Sequence, residues 1–126
     1  MKQAIQSNNA PAAIGQYSQA VKIGETLYLS GQIPLDPVTM MLVGEDMKTQ
    51  VVQVFNNIKQ VIEAAGLNLD AIVKLTVYLI DISQLSIVNE IMTHYFRPPY
   101  PARTSVEVAA LPKGAAIEID AIAVFY

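Results

Sequence analysis

Asp46-Met47-Lys48-Thr49-Gln50-Val51-Val52-Gln53-Val54-Phe55-Asn56-Asn57-Ile58-Lys59-Gln60-Val61-Ile62-Glu63-Ala64-Ala65-Gly66, and after a short gap Ala71-Ile72-Val73-Lys74-Leu75-Thr76-Val77-Tyr78-Leu79-Ile80, decide the fold class. In the first run, Met47, Val51, Val54, Phe55, Ile58, Val61, Ile62 and Ala65 recur at three- and four-residue spacing. That spacing lays one apolar stripe along an amphipathic helix. Asp46 is placed to cap its first turn, and Gly66 stands where a left-handed C′ residue belongs. The second run is dense in branched and aromatic residues, as expected of a central strand buried on one face and largely on the other. A helix stripe followed directly by such a strand predicts an α+β chain.

Towards the C-terminus a second helix is expected from Asp81–Ser83 to about Phe96. Leu85, Val88, Ile91, Met92, Tyr95 and Phe96 fall on one arc, with Asn89 at its edge and His94 nearly opposite, on the solvent side. Pro98-Pro99-Tyr100-Pro101 cannot continue that helix and hands the chain to an extended segment. In Ala102-Arg103-Thr104-Ser105-Val106-Glu107-Val108, Arg103, Ser105 and Glu107 share one face and Thr104, Val106 and Val108 the other. The last strand, Ala116 to Tyr126, sets Ile117, Ile119, Ala121 and Ala123 against Glu118, Asp120, Ile122 and Val124.

Towards the N-terminus, Tyr17–Ile23 and Thr26–Ser30 read as a hairpin closed by Gly24-Glu25. At its end, Gly31 in Ser30-Gly31-Gln32 lets the backbone bend or lets another group approach closely. Residues 1–16 carry turn signals, Asn8-Asn9-Ala10-Pro11 and Ile14-Gly15. Between Pro34 and Gly44 a loop holds the apolar run Met40-Met41-Leu42-Val43, a short edge strand or an interface contact. The expected order is β-β-α-β-α-β-β in one domain, 1–126, with both helices on one face of a mixed sheet. The opposite face is then left bare, and covering it with further copies of the chain is the simplest remedy.

Composition narrows the chemistry. The 126 residues are 52% hydrophobic and only 15% charged, which favours an oligomer with neutral interfaces. A formal charge of -3 with no cluster of Lys and Arg argues against nucleic acid as a partner. The absence of cysteine excludes disulfides, thiolate metal sites and a cysteine nucleophile, and the lone His94 excludes multi-histidine metal sites. No signal-peptide core and no membrane-length apolar run is present, so the expectation is a soluble, cytoplasmic protein with neither membrane partner nor cofactor.

The candidate functional groups are Arg103, Glu118, Tyr17, Asn89, Ser30, Gly31 and Ser105. Each alone has an ordinary structural explanation. Together they describe something narrower. An arginine fork preorganised by the preceding prolines can hold a carboxylate. A glutamate about fifteen residues on, expected on a neighbouring strand, can position or deprotonate a water. Tyrosine, serine and asparagine orient a small polar substrate without titrating near neutral pH. That set suits hydrolysis of an already activated bond without a cofactor.

Tyr100-Pro101-Ala102-Arg103-Thr104-Ser105-Val106-Glu107-Val108, with Leu111-Pro112-Lys113 and Ile117-Glu118-Ile119, resembles the C-terminal signature of the RidA/YjgF family of reactive-intermediate deaminases. Asn9 to Ala20, Leu29-Ser30-Gly31-Gln32-Ile33-Pro34, Ile62-Glu63-Ala64-Ala65-Gly66, Val73-Lys74 and Val88-Asn89 extend the resemblance over nearly the whole chain. It implies a chorismate-mutase-like α+β fold, a homotrimer with sites in the clefts between subunits, and hydrolysis of 2-imino or enamine acids to 2-oxo acids and ammonia. It also implies that Arg103 binds the substrate carboxylate, that Glu118 handles the attacking water, and that Tyr17, Ser30, Gly31 and Asn89 line the cleft. The competing reading is a non-catalytic metabolite-binding or regulatory trimer, which would need the arginine but not the glutamate. Three departures stand out. Ser105 replaces a frequent cysteine, Gln16 a frequent proline, and Met40 a usual glycine at a loop position expected to lie away from the site.

Overall fold

The computed structural model describes residues 1–126. Its elements are β1 (Gln3–Ile5), β2 (Ala20–Ile23), β3 (Thr26–Gln32), α1 (Met47–Ala64), β4 (Ile72–Leu79), α2 (Leu85–Tyr95), β5 (Ala102–Glu107) and β6 (Ile117–Val124). The strands form one six-stranded mixed sheet in the order β1-β2-β3-β6-β4-β5. β4 and β5 run parallel, as a strand–helix–strand crossover requires, and every other pair is antiparallel. The α+β expectation holds, with both helices over one face.

α1 forms where the apolar stripe predicted it. Asp46 accepts the Thr49 amide on its side chain, closing the first turn, and Gly66 takes φ +83° just past the last. Phe55 is fully buried and sits 5.3 Å from the Tyr95 ring and 5.6 Å from Phe96, edge-on to the latter, so one aromatic cluster joins α1 to the end of α2. Below the helices lie Leu27 and Leu29 of β3, Leu75, Val77 and Leu79 of β4, and Ile117 and Ile119 of β6. The opposite face carries Val21, Tyr28, Thr76, Tyr78, Val106 and Ile122, and nothing in the chain covers it.

Four details differ from the sequence reading. The short edge strand β1 was not expected; turn signals dominate its neighbourhood and it owes its conformation to pairing with β2. β2 begins at Ala20 rather than Tyr17, because Gln19 just before it turns inward as a clamp described below. The second helix starts as a 3-10 turn, Ile82–Gln84, capped by Asp81, and becomes α-helical only at Leu85. β4 is an interior strand, between β6 and β5, yet its second face is only half-buried because helices cover one side alone.

Three buried amides hold the loops to this frame. Gln19 accepts from the Ser7 amide at 2.6 Å and donates to the carbonyls of Ser7, at 3.1 Å, and Pro11, at 2.7 Å. Asn57 donates to the Leu35 carbonyl at 3.0 Å. Gln50 accepts from the Ala116 amide at 3.0 Å, pinning the entry to β6. A buried amide left unpaired costs about 1–3 kcal/mol, so each clamp specifies one loop conformation. No helix is long and apolar enough to cross a membrane.

Candidate functional site

The residues singled out in the sequence gather into two clusters. They do not gather into one.

The first cluster is cationic. The proline-bearing segment delivers Arg103 to the second position of β5, on the helix-covered side and facing α2. Its Nη1 donates to Asn89 Oδ1 at 2.7 Å and to the Met92 sulfur at 3.2 Å, so α2 fixes the direction of the fork. A cavity of about 480 Å3 opens here, lined by Asn89, Met92, Thr93, Tyr100, Pro101 and Arg103. No carboxylate pairs with Arg103, which leaves its remaining N–H donors for an anion. Ser105 lies on the same face, one alternation along, but outside the cavity wall; its Oγ is buried without a hydrogen-bond partner.

The second cluster is built around Glu118. Between Leu29 and Gln32 the pairing of β3 with β6 slips by a residue, and Ser30-Gly31 form the irregularity. The Glu118 side chain lies across Gly31. A Cβ added to Gly31 would run into its carboxylate, with Cδ only 2.8 Å and Cγ 3.0 Å away. The expectation that this glycine admits a close approach is met, and the approaching group is the candidate base. Burial pushes the Glu118 pKa up, and the Asp120 charge two residues along the same face pushes it further. Tyr78 donates to Asp120 Oδ2 at 3.0 Å, a bond that raises the tyrosine's own pKa. Ser30 Oγ donates to the Ser18 carbonyl at 2.6 Å, so its proton is committed within the chain and the hydroxyl is left as an acceptor.

Beside Gly31 is a second cavity, about 360 Å3, whose wall includes Tyr17, Gln19, Ile33, Leu35, Met40, Pro112 and Lys113. Tyr17 is half-exposed over it and accepts the Ile14 amide at 3.4 Å. Met40 therefore does not lie away from the candidate residues, as the sequence reading held. Its turn shares a cavity wall with Gly31 and Gln32, held by the bridge between Leu35 and Leu42 and by Asn57 of α1 donating to the Leu35 carbonyl.

Arg103 and Glu118 are also not on neighbouring strands. β4 lies between β5 and β6, pairing Leu75 with Arg103 and Tyr78 with Glu118. Residues an odd number of positions apart on one strand point to opposite faces. Arg103 thus belongs to the helix side of the sheet and Glu118 to the bare side. Within one chain they cannot meet on one small substrate.

Sequence reasoning did not count Tyr100, Met92 and Thr93 among the candidates around the arginine, nor Lys113 around Gly31, and it noted Met40 only as a departure set away from the site. Tyr100 had a signal, being fixed between Pro99 and Pro101. Gln19 had none, since a buried amide and a solvated one read alike in sequence. No three His, Cys, Asp or Glu side chains converge as a metal site.

Comparison with known proteins identifies the family and the fold. Residues 7–125 match the model of the family described as endoribonuclease L-PSP. A RutC family protein of Pyrococcus horikoshii is 50% identical, over 98% of each chain. The human protein named 2-iminobutanoate/2-iminopropanoate deaminase is 44% identical, over 98% of this chain and 90% of that one. Among solved structures, RidA from an Antarctic Psychrobacter superposes with a TM-score of 0.94 at 51% identity, over 98% of this chain and 99% of the other.

Proposed function

The chain belongs to the endoribonuclease L-PSP family, also called RidA/YjgF, and from that premise we propose that it hydrolyses 2-imino acids and their enamine tautomers, 2-iminobutanoate and 2-iminopropanoate among them, to 2-oxo acids and ammonia. The observation that carries this reading is the separation of an unpaired arginine from a half-buried glutamate on opposite sheet faces. Such a pair is useful only if a second copy presents its glutamate side to the first copy's arginine. A homotrimer packed through the bare sheet face does so, with three equivalent clefts.

In that cleft the Arg103 fork takes the substrate carboxylate, oriented by Asn89. The imine carbon of the bound acid then lies beside the neighbouring copy's Glu118. The imine enters protonated on nitrogen; a water oxygen adds to its carbon while Glu118 takes one water proton, so a C–O bond forms, the C=N π pair returns to nitrogen and a neutral carbinolamine results. Glu118 then gives its proton to that nitrogen and takes the hydroxyl proton back as the C–N bond breaks and the C=O forms, releasing ammonia and the 2-oxo acid with the carboxylate restored. A carboxylate whose proton affinity is raised suits both transfers better than one fully exposed to water. Tyr17 and the Ser30 oxygen flank the reacting carbon. No cofactor enters any step.

The test couples this protein to a pyridoxal-phosphate threonine dehydratase and follows 2-oxobutanoate release with semicarbazide competing for the imine. Arg103→Ala is expected to lose about 10²–10³-fold in kcat/KM, the worth of two charge-assisted hydrogen bonds. Co-expressing Arg103→Ala with Glu118→Gln is expected to restore about a quarter of wild-type activity, since random assembly leaves that share of clefts intact. If the mixture stays as inactive as its parents, the shared cleft is wrong. If wild-type protein binds 2-oxobutanoate but never accelerates its release, the metabolite-binding reading replaces the enzymatic one.

A further inference from the structure

Met40 is an anomaly of turn chemistry. Asp36 Oδ1 accepts the amides of Val38, at 2.8 Å, and Thr39, at 3.0 Å, and the Asp36 carbonyl accepts the Met40 amide at 2.8 Å. The turn closes with the Asp36 amide donating to the Met41 carbonyl at 2.9 Å. Such a turn ends on a residue in the left-handed region, where glycine or asparagine is expected. Here that residue is Met40, at φ +60°. A methionine there is strained, and the left-handed backbone sets the direction in which its Cβ leaves the turn. While Val38 and Met41 project into solvent, at 89% and 69% exposure, Met40 is partly buried in the wall of the cavity beside Gly31.

The chemistry of that cavity follows from its wall. Ile14, Ile33, Leu35 and Met40 give it a mostly apolar surface, with Gln32 and Lys113 as polar wall residues, and Gly31, across which Glu118 lies, forms part of the same wall. At about 360 Å3 it has room for a branched side chain of several carbons. The thioether of methionine is long and flexible enough to close on such a group.

We propose that this cavity is the subsite for the substrate's side chain, and that Met40 makes the protein select 2-imino and 2-oxo acids with apolar side chains of about four carbons or more over the small ones. The proposal rests on the imine-hydrolase reading only for the placing of the reacting carbon beside Glu118. The affinity for 2-oxo acids tests it independently of catalysis.

The measurement is titration calorimetry of the assembled protein with pyruvate and with 4-methyl-2-oxopentanoate, for wild type, Met40→Gly and Met40→Leu. Wild type is expected to bind the longer acid about tenfold more tightly, within the limit of roughly fifty-fold that three further buried carbons set. Met40→Gly is expected to lose most of that preference while melting at a higher temperature, because glycine relieves the backbone. Met40→Leu keeps the apolar contact and is expected to keep the preference. Equal affinity of wild type for the two acids, binding of neither, or a preference unchanged in Met40→Gly overturns the proposal. The kcat/KM for the corresponding imines, read in the same variants, reports separately on catalysis. Hydrolysis of the small imine alone, without the binding preference, keeps the hydrolase and discards the subsite.

Discussion

The two faces of the sheet are written into the same strands, yet they have different fates. Along β6, Ile117, Ile119, Ala121 and Ala123 vanish beneath the helices, while Glu118, Asp120, Ile122 and Val124 stay partly open. The covered face is closed within one chain and supplies stability. The bare face is half-finished, mixes apolar side chains with Glu118 and Asp120, and carries the carboxylate of the proposed reaction. A single alternation of side chains therefore assigns folding to one side and most of the chemistry to the other. Arg103 is the exception, reaching solvent from the covered side where α2 ends its protection.

Substitutions can break this division at different depths. Phe55→Ala empties the centre of the covered side and is expected to cost about 3–5 kcal/mol, read by denaturant unfolding. Were it to cost under 1 kcal/mol, the aromatic cluster would not be the anchor between the helices. Gly31→Ala acts on the bare side alone. Because a Cβ meets the Glu118 carboxylate, that side chain must swing away. The expected outcome is a folded protein with activity down about 10²-fold, the low end of what general acid–base catalysis contributes. Unchanged activity in that variant would show that Glu118 need not lie over the strand.

A subtler probe is pH. The Glu118 pKa is raised in the folded chain, so the protein holds that proton to higher pH than the unfolded chain does. Its contribution to stability is present below the ordinary glutamate range and is lost as pH rises through the folded value. Glu118→Gln is therefore expected to gain stability relative to wild type as pH climbs from about 4 towards 7, while losing activity throughout. Asp120→Asn removes one cause of the raised value, and the acid limb of the wild-type rate profile is expected to move to lower pH. A limb that stays put would assign it to another group. Smallest of all is Arg97→Ala. Its pair with Asp70 at 2.7 Å joins side chains 80% and 41% exposed, outside the covered core, and losing it is expected to cost no more than about 0.5 kcal/mol.

How much of this was legible before any coordinates depended on range. The stripe from Met47 to Ala65 and the alternation from Ile117 to Val124 are local patterns, and both elements formed where they predicted. The hydrogen bond from Arg103 to Asn89, at the edge of the α2 arc, joins two elements and no local pattern announced it. What sequence could not supply was which strand lies between β5 and β6. Fifteen residues separate Arg103 from Glu118 in the chain, but β4 intervenes in space and reverses the face. Met40 was hidden for a different reason. The turn rule that flags a missing glycine does not say where the replacing side chain points, because Asn57, distant in sequence on α1, fixes the loop through the Leu35 carbonyl while Leu35 and Leu42 bridge across its base.

The sheet order has a kinetic consequence. β6 comes sixth in the chain yet stands inside the sheet, joined to β3 on one edge and β4 on the other. Until it arrives, the early hairpin and the β4–α2–β5 unit share no backbone hydrogen bonds through the sheet and must wait as separate, partly greasy fragments. Folding of this chain is a closing step rather than a growing one, slow for its size because its decisive contacts span long loops. Weakening β6 should therefore lower the refolding rate more than it raises the unfolding rate.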